Sequence, residues 1–286
     1  MQAEANSPNA DQIAYWNGEA SSRWLTRQQH LDATLEPLTR WALDQAAPRA
    51  GEQVLDVGCG CGATVLELAR RVGPNGHVLG VDVSEPMLGQ ARKRAAEAGL
   101  RQVELVLADA SAAKLPPARH DLMFSRFGVM FFRNPVAAFA NLRRSLKPDG
   151  RLAFVCWQPL KLNPAFLVPL QAVAAFAPPR VPPAPGEPGP FAFGDPEHVR
   201  RILTDAGFRD VAFVAHDISM RLAAPGDLAA AEEHASQTGP VARVLADLPG
   251  EAGLAARAAI REALRPYDGP DGVALGGKVW LVTARP

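Results

Sequence analysis

Residues 54–62 read Val-Leu-Asp-Val-Gly-Cys-Gly-Cys-Gly, and this stretch decides the fold. Its apolar start predicts a buried strand, and a helical pattern follows immediately over residues 64–69. Gly58, Gly60 and Gly62 predict a tight turn between the two, because glycine tolerates backbone angles and close approaches that a Cβ would prevent. A strand, a glycine turn and a helix in this order predict a cofactor-binding corner, where backbone N–H groups face the ligand.

Asp56, two residues before the first glycine, distinguishes between possible ligands of this corner. The spacing Gly58-x-Gly60-x-x-Ala63 also fits the loose dinucleotide fingerprint. A carboxylate at this place would repel a pyrophosphate and attract an ammonium group. S-adenosylmethionine carries an ammonium and a sulfonium but no phosphate, so Asp56 favours it over NAD. A glycine turn without any ligand is less favoured, because three alternating glycines are costly in chain entropy.

Acidic residues also follow the next two predicted strands. The second strand covers residues 77–83 and contains Asp82, which can accept hydrogen bonds from both ribose hydroxyls of either cofactor. Ser84 is predicted to cap the next helix, and Met87, one turn into it, can cover an adenine face or simply pack in the core. Asp109 can accept a hydrogen bond from an adenine amino group, or it can cap its own loop.

Five further strands complete the predicted sheet, and together with the intervening helical patterns they indicate an α/β fold. They cover residues 103–108, 121–127 and 151–157, a stretch from 211 to near 222, and 278–284.

The chain resembles the class I S-adenosylmethionine-dependent methyltransferases, in particular the small-molecule branch that includes the ubiquinone and menaquinone C-methyltransferases. The matching stretches are VLDVGCGCG (54–62), VLGVDVSEPML (78–88), LADA (107–110), HDLMFSRFGVMFF (120–132) and LKPDGRLAFVCW (146–157). The resemblance is specific over residues 50–157 and only architectural beyond them. It implies a doubly wound, Rossmann-like sheet of seven mostly parallel strands with the last strand antiparallel.

The same resemblance implies a set of cofactor contacts but no substrate residues. At the methionine end, Asp56 would lie near the amino group, and Ser125 and Arg126 would lie beside the methionine moiety. Gly58, Gly60 and Gly62 would line the methionine and ribose, with Asp82 on the ribose. At the adenine end, Val83 and Met87 would lie against the ring, and Asp109 and Ala110 at its edge.

Residues 1–45 are predicted to form a helical cap, because large apolar side chains repeat there at helical intervals. Similar enzymes close such a segment over the cofactor, so Tyr15 and Trp24 can face the sulfonium or the substrate. These rings can equally anchor the helices on the core. His30 is the candidate general base, should the acceptor need one, although a capping or surface histidine is the alternative.

Three further segments are predicted after the cap. Residues 46–157 form the cofactor-binding core, 158–194 a proline-rich lid insertion, and 195–286 the rest of the sheet with a helical lid element at 226–266. The proline-rich run at 178–190 excludes helix and central strand, which favours a stiff loop of the lid over a polyproline ligand for a partner protein.

Composition limits the classes of function. Lysine plus arginine and aspartate plus glutamate both number 30, which argues against the basic face of a nucleic-acid enzyme. Neither a secretion signal nor an apolar run of about 20 residues is found, so a cytoplasmic protein without a membrane span is expected. Three cysteines fit free thiols in a reducing compartment, and no metal site is predicted.

We therefore expect methyl transfer from S-adenosylmethionine to a small-molecule metabolite by in-line displacement, in a monomer or homodimer. An NAD-dependent oxidoreductase and a non-catalytic S-adenosylmethionine-binding scaffold are the alternatives. The methylated atom and the acceptor are not fixed by any motif.

Overall fold

The computed structural model describes residues 9–178 and 186–286. Its α-helices in these ranges are α1 Ala10–Asn17, α2 Glu19–Thr26, α3 Gln28–Ala46, α4 Ala63–Val72, α5 Glu85–Glu97, α6 Pro135–Arg143, α7 Pro164–Val173, α8 Pro196–Asp205, α9 Leu228–Ser236, α10 Gly239–Ala246 and α11 Gly250–Leu264. Its strands are β1 Gln53–Val57, β2 His77–Asp82, β3 Val103–Leu107, β4 His120–Arg126, β5 Leu146–Trp157, β6 Arg209–Ala223, β7 Asp268–Gly269 and β8 Gly272–Arg285.

The strands form one sheet in the order β3-β2-β1-β4-β5-β8-β6, with the two-residue β7 paired to β8. The pairs β1–β2, β1–β4, β2–β3 and β4–β5 are parallel, and the C-terminal strands are antiparallel. The predicted α/β fold with a mostly parallel, Rossmann-like sheet is thus confirmed. The path contains the seven expected strands, and β7 is additional because two residues are too few to leave a periodic signal.

The strand order reverses at β1, which has β2 on one side and β4 on the other. In open α/β sheets ligands bind beside the carboxyl ends of the strands at such a switch point. The glycine turn follows β1, Asp82 ends β2 and Arg126 ends β4. The topology therefore brings these three features to one edge of the sheet.

Two strands begin at least five residues earlier than predicted. β5 begins at Leu146 rather than Arg151, because Leu146 already pairs with His120 before the register shifts. β8 begins at Gly272 rather than Lys278.

The predicted capping by Ser84 is wrong in one respect. Ser84 occupies the position before α5, but its side chain makes no capping bond. The buried hydroxyl has no hydrogen-bond partner among the described residues, whereas the Ser84 backbone N–H donates to the Asp82 carboxylate.

The predicted helical N-terminal region consists of three helices, α1 to α3. Leu31, Leu35 and Leu38 of α3 are buried, as the helical spacing indicates, whereas Leu25 and Trp41 are only half-buried. No helix within residues 9–178 and 186–286 is long and apolar enough to cross a membrane.

The chain forms two compact units. The first comprises Met1–Cys156, Glu187–Val214 and Trp280–Pro286, and it contains every residue predicted to bind the cofactor. The second comprises Trp157–Gly186 and Ala215–Val279 and contains α7, α9, α10 and α11, which pack on one another. The predicted segment boundaries at 45, 157 and 194 stay a prediction, and residues 179–185 of the proline-rich run lie outside the described residues.

Candidate functional site

The turn after β1 has a backbone that only glycine adopts without strain. Gly58, Gly60 and Gly62 have φ angles of +70°, +53° and +85°. A Cβ on Gly58 would lie 2.7 Å from the Cα of Gly128, and one on Gly60 would lie 2.9 Å from the Cε of Met87. The positive φ angles disfavour a side chain at all three positions, and the Gly128 backbone also leaves no room for one at Gly58, so the turn presents bare backbone at the start of α4.

Asp56 lies near the carboxyl end of β1 and is fully buried. Its Oδ2 accepts a hydrogen bond from the Thr64 hydroxyl of α4, whereas Oδ1 has no partner among the described residues. Burial raises the pKa of Asp56 to about 7, against the opposing effects of Thr64 and the Arg126 guanidinium and with a small further increase from Asp82. A buried carboxylate oxygen without a partner is costly, and a bound ammonium group would satisfy it.

Asp82 is held against the glycine turn by backbone hydrogen bonds. The Gly60 N–H donates to Oδ2 over 2.7 Å and the Ser84 N–H donates to Oδ1 over 2.9 Å. Burial raises the pKa of Asp82, and these bonds with the backbone of Val83 oppose that rise. Each carboxylate oxygen can still accept a second hydrogen bond, which is what two adjacent hydroxyls would require.

The residues predicted at the adenine lie near this edge as well. Met87 is buried, with its methyl group facing the glycine turn. Asp109 follows β3, and its Oδ1 accepts hydrogen bonds from the Ser111 N–H over 2.9 Å and from Asn9 Nδ2 over 3.1 Å. Ala110 is buried next to it. Asp109 therefore caps its own loop, which was the alternative interpretation, and also contacts the N-terminal segment.

Two asparagines that the sequence did not single out fasten α1 over this edge. Asn17, the last residue of α1, donates to the Val83 carbonyl over 2.7 Å and accepts from the Glu85 N–H over 3.2 Å. Asn9, which precedes α1, accepts from the Arg133 N–H over 2.8 Å, in addition to its bond to the loop after β3. Both ends of α1 are thus fixed to loops that follow the parallel strands.

The N-terminal aromatic residues form one cluster. The Trp16 ring makes edge-to-face contacts with Tyr15 and Phe131, each with centroids 5.3 Å apart, and with Trp24 at 6.2 Å. Phe131 lies in the short turn after β4, so the cluster anchors α1 and α2 beside the carboxyl end of that strand. All four rings are half-buried. Trp16, which joins Tyr15 to Trp24, was not predicted.

Ser125 is engaged by the backbone rather than free for a ligand. Its fully buried hydroxyl donates to the Val57 carbonyl over 2.7 Å and accepts from the Gly128 N–H over 3.2 Å. Ser125 therefore fixes the end of β4 against the end of β1.

Arg126 is half-buried and reaches the N-terminal helices. Its Nη1 donates to Thr39 Oγ1 of α3 over 2.5 Å. Burial lowers the pKa of Arg126, while the carboxylates of Asp32 and Asp56 act in the opposite direction. Arg126 and Asp56 thus influence each other electrostatically, and their predicted location beside the methionine moiety stays a prediction.

A polar network joins α3, α5 and the glycine turn. Arg94 of α5 donates to the Cys61 carbonyl over 2.5 Å and forms an ion pair with Asp32 of α3 over 2.8 Å. Gln28 donates to Asp32 over 2.5 Å and accepts from Gln90 over 3.3 Å. The sequence signal for this network was Gln28, a polar residue on the mostly apolar buried face of α3.

His30 lies in the first turn of α3 and is exposed, so its role as a general base stays a prediction. The three cysteines are buried and free, and burial raises the pKa of the Cys61 thiol to about 12. Over residues 9–178 and 186–286 we find no cluster of three side chains suited to a metal ion.

Comparison with known proteins identifies similar sequences. A family model described as a methyltransferase domain matches residues 54–150. Nocamycin O-methyltransferase of Saccharothrix syringae is 36% identical over 195 residues, which are 65% of this chain and 69% of that protein. A demethylmenaquinone methyltransferase of Listeria monocytogenes is 36% identical over 105 residues, 37% of this chain and 44% of that protein. The resemblance predicted from the sequence is confirmed.

Among solved structures, that of the [4+2]-cyclase SpnF is similar to this chain with a TM-score of 0.55. The alignment covers 87% of this chain and 81% of that one at 22% identity. At this identity the likeness concerns the fold alone, and the fold alone does not determine the reaction.

Proposed function

The chain belongs to the S-adenosylmethionine-dependent methyltransferases, and from this membership we propose that it methylates an oxygen atom of a small organic molecule. S-adenosylmethionine is the cofactor and methyl transfer the reaction. The nocamycin enzyme supports both the small acceptor and the oxygen, because its match covers 69% of that protein.

One observation supports the assignment of the cofactor to particular residues, namely the free Oδ1 of Asp56. This oxygen is buried at the glycine turn and lacks a hydrogen-bond partner among the described residues. An ammonium group would supply both the missing donor and the missing positive charge. A pyrophosphate would place negative charge beside a carboxylate, which disfavours NAD.

The remaining site residues are proposed to bind and orient the cofactor. When bound, the cofactor supplies a methyl group on a sulfonium, an electrophile that is already activated. Asp82 is proposed to accept hydrogen bonds from the ribose hydroxyls, and the backbone of the glycine turn is proposed to allow close approach of the cofactor. Met87, Val83, Asp109 and Ala110 are proposed to border the adenine. Holding two reactants in line lowers the barrier without further chemistry from the protein.

A second candidate function is that of a non-catalytic scaffold that binds S-adenosylmethionine, because the fold alone does not determine the reaction. Because a [4+2]-cyclase shares this fold, a chain that binds S-adenosylmethionine without transferring its methyl group has to be tested. Cofactor binding is common to both candidates, and only turnover distinguishes them.

Calorimetric titration of the purified chain with S-adenosylmethionine, S-adenosylhomocysteine and NAD, each alone, tests the cofactor. We expect the first two to bind and NAD not to bind. Asp56→Asn should weaken binding at least tenfold, whereas Asp44→Asn, at an exposed residue of α3, should not. Binding of NAD alone would overturn the assignment.

A panel of phenols, enols, carboxylic acids, amines and thiols with methyl-labelled cofactor then tests the acceptor by mass spectrometry. We expect label on oxygen. Label only on nitrogen, sulfur or carbon would contradict the oxygen proposal and keep the methyltransferase, while binding without any transfer would favour the scaffold.

The location, partners and assembly are proposed from the cysteines and the charge. The three buried free thiols support a reducing, cytoplasmic location, and the balanced charge supports a small molecule over a nucleic acid as substrate. The chain is proposed to act as a monomer or homodimer, with His30 as the base where the acceptor needs one.

A further inference from the structure

The strand β3 lies at one end of the sheet and, among the described residues, pairs only with β2. The Val78 N–H of β2 donates to the Gln102 carbonyl over 2.9 Å, and the Ala108 N–H donates to the Asp82 carbonyl over 3.0 Å. In this parallel register the even-numbered residues of β3 form the bonds to β2. The odd-numbered residues therefore direct their backbone N–H and C=O groups toward the open edge.

Val103, Leu105 and Leu107 form this open edge of β3. The N–H groups of Leu105 and Leu107 have no acceptor among the described residues, and the Val103 N–H makes only a long turn bond of 3.3 Å to the Leu100 carbonyl. The carbonyl groups of all three have no donor within the same part of the chain. An unpaired strand edge of this kind is a template on which a further strand can pair.

The side chains along this edge do not discourage such pairing. Val106 is 36% exposed and Leu107 is 39% exposed, and the only charged residue of the strand is Glu104. The strand β6 at the other end of the sheet exposes several charges, among them Asp217 and Arg221. Exposed charges protect a strand edge from association, so β3 is the unprotected edge of the two.

We propose that two copies of this chain associate by pairing their β3 strands antiparallel, about a two-fold axis at Leu105. Leu105 of each copy then both donates to and accepts from Leu105 of the other. Each Leu107 N–H donates to the Val103 carbonyl of the other copy, and the Leu107 side chain covers that of Val103. The pairing satisfies the open backbone groups and removes apolar surface from water.

The charges at the two ends of β3 favour a second copy over a strand of another protein. Arg101, before the strand, is exposed and forms no ion pair with the described residues. Asp109 follows the strand at its other end. Antiparallel pairing about Leu105 brings Arg101 of each copy beside Asp109 of the other, whereas parallel pairing would bring like charges together. The edge is thus complementary to itself, as a two-fold interface requires.

Sedimentation velocity of the whole chain, over about 1 to 200 µM, tests the association. The interface of one short strand is small, so we expect a reversible dimer with a dissociation constant on the order of 10 µM. Val106→Lys places a charge on the edge and should raise this constant at least tenfold. Val214→Lys is the matched control, because Val214 is 43% exposed on β6, and it should leave the constant within twofold.

Single cysteines test the register of the pairing. Glu104 of one copy would face Val106 of the other, with Cα atoms about 4.5 Å apart, which suits a disulfide. Identical residues would face each other only diagonally, roughly 7 to 8 Å apart, which is too far. A mixture of Glu104→Cys and Val106→Cys should therefore form a disulfide-linked dimer at least tenfold faster than either variant alone. The native thiols are buried, so the unmodified protein should not be linked.

Any one of three results would overturn the inference. In the first, the unmodified protein sediments as a monomer over the whole concentration range. In the second, folded Val106→Lys associates as tightly as the unmodified protein. In the third, the mixture of cysteine variants is linked no faster than each variant alone, which decides the question even if Val106→Lys fails to fold. The inference does not depend on the proposed cofactor site, since none of these measurements involves a ligand.

Discussion

Gly58 and Gly128 approach each other backbone to backbone, where the ends of β1 and β4 meet. A Cβ on Gly128 would lie 2.6 Å from the Val57 carbonyl oxygen and 2.9 Å from the Cα of Gly58. Phe127, directly before Gly128, has a φ of +65°, which an aromatic residue adopts only under constraint. The close contact therefore fixes both loops that border the site.

Gly128→Ala should damage this junction. Because backbone atoms on both sides cannot retreat, we expect a loss of stability of about 2 kcal/mol, typical of an overpacked interior. Cofactor affinity should fall at least tenfold, since the glycine turn is displaced. Urea unfolding and calorimetry measure the two effects.

Gly89→Ala is the matched control. Gly89 lies within α5, and nothing would come within 4 Å of its Cβ. Alanine is the better helix former by about 1 kcal/mol, so this variant should be slightly more stable with unchanged affinity. Normal affinity in Gly128→Ala would show that the contact is not needed for binding.

The affinity for S-adenosylhomocysteine should depend on pH through Asp56. Its pKa is raised to about 7 by burial, so the empty site gains a proton as the pH falls through neutrality, and binding an ammonium then requires that proton to leave. We expect the dissociation constant to rise about tenfold between pH 7 and pH 5.5. The ligand's amino group stays protonated throughout this range.

Asp56→Asn is the control for this titration. The variant should bind weakly with a nearly constant dissociation constant over the same range. An unmodified protein whose affinity does not change with pH would mean that Asp56 stays ionised in the empty site.

The sequence predicted those parts of the site whose residues are positioned by neighbours close in the sequence. Asp56 and Asp82 lie at or near the ends of strands and the glycine turn directly follows one, so strand periodicity and turn chemistry suffice to place them. Their shared edge then follows from the handedness of parallel connections. The same reasoning recovered the sheet and the buried face of α3.

What the sequence did not predict depends on partners far away in the chain. Asn9 meets Asp109 across 100 residues, and Arg126 meets Thr39 across 87. No periodicity encodes such pairs, because they arise only when the helices dock. Ser84 occupies the predicted capping position, but its side chain makes no capping bond and its own backbone N–H donates to the Asp82 carboxylate.

Asn17→Ala should loosen α1. The variant loses both bonds to the loop after β2, so we expect faster amide hydrogen exchange in α1 by about tenfold, with the sheet unchanged. The tryptophan fluorescence of the chain should also shift, because the Trp16 ring packs between Tyr15 and Phe131.

Asn75→Ala is the matched surface control for Asn17. Asn75 is exposed in the turn before β2 and makes no side-chain hydrogen bond to the described residues. Equal exchange in both variants would show that the Asn17 bonds do not hold the helix.

Two buried groups should give the ligand-free protein opposing pH dependences of stability. Burial lowers the pKa of His120 to about 4, so the unfolded chain binds the proton first and stability falls as the pH drops from about 6.5 to 4, by about 3 kcal/mol. Asp56 acts with the opposite sign. Its raised pKa makes the folded state hold the proton longer, so its contribution falls by about 4 kcal/mol as the pH rises from about 4 to 7.

Because these two effects largely cancel, the unfolding free energy of the unmodified protein, measured with urea, should change less between pH 4 and 7 than that of Asp56→Asn or His120→Gln. Asp56→Asn should gain stability with rising pH, since the Asp56 effect is removed and the His120 effect remains. His120→Gln should lose stability over the same range. Parallel profiles for all three proteins would mean that neither buried group titrates differently in the folded and unfolded states.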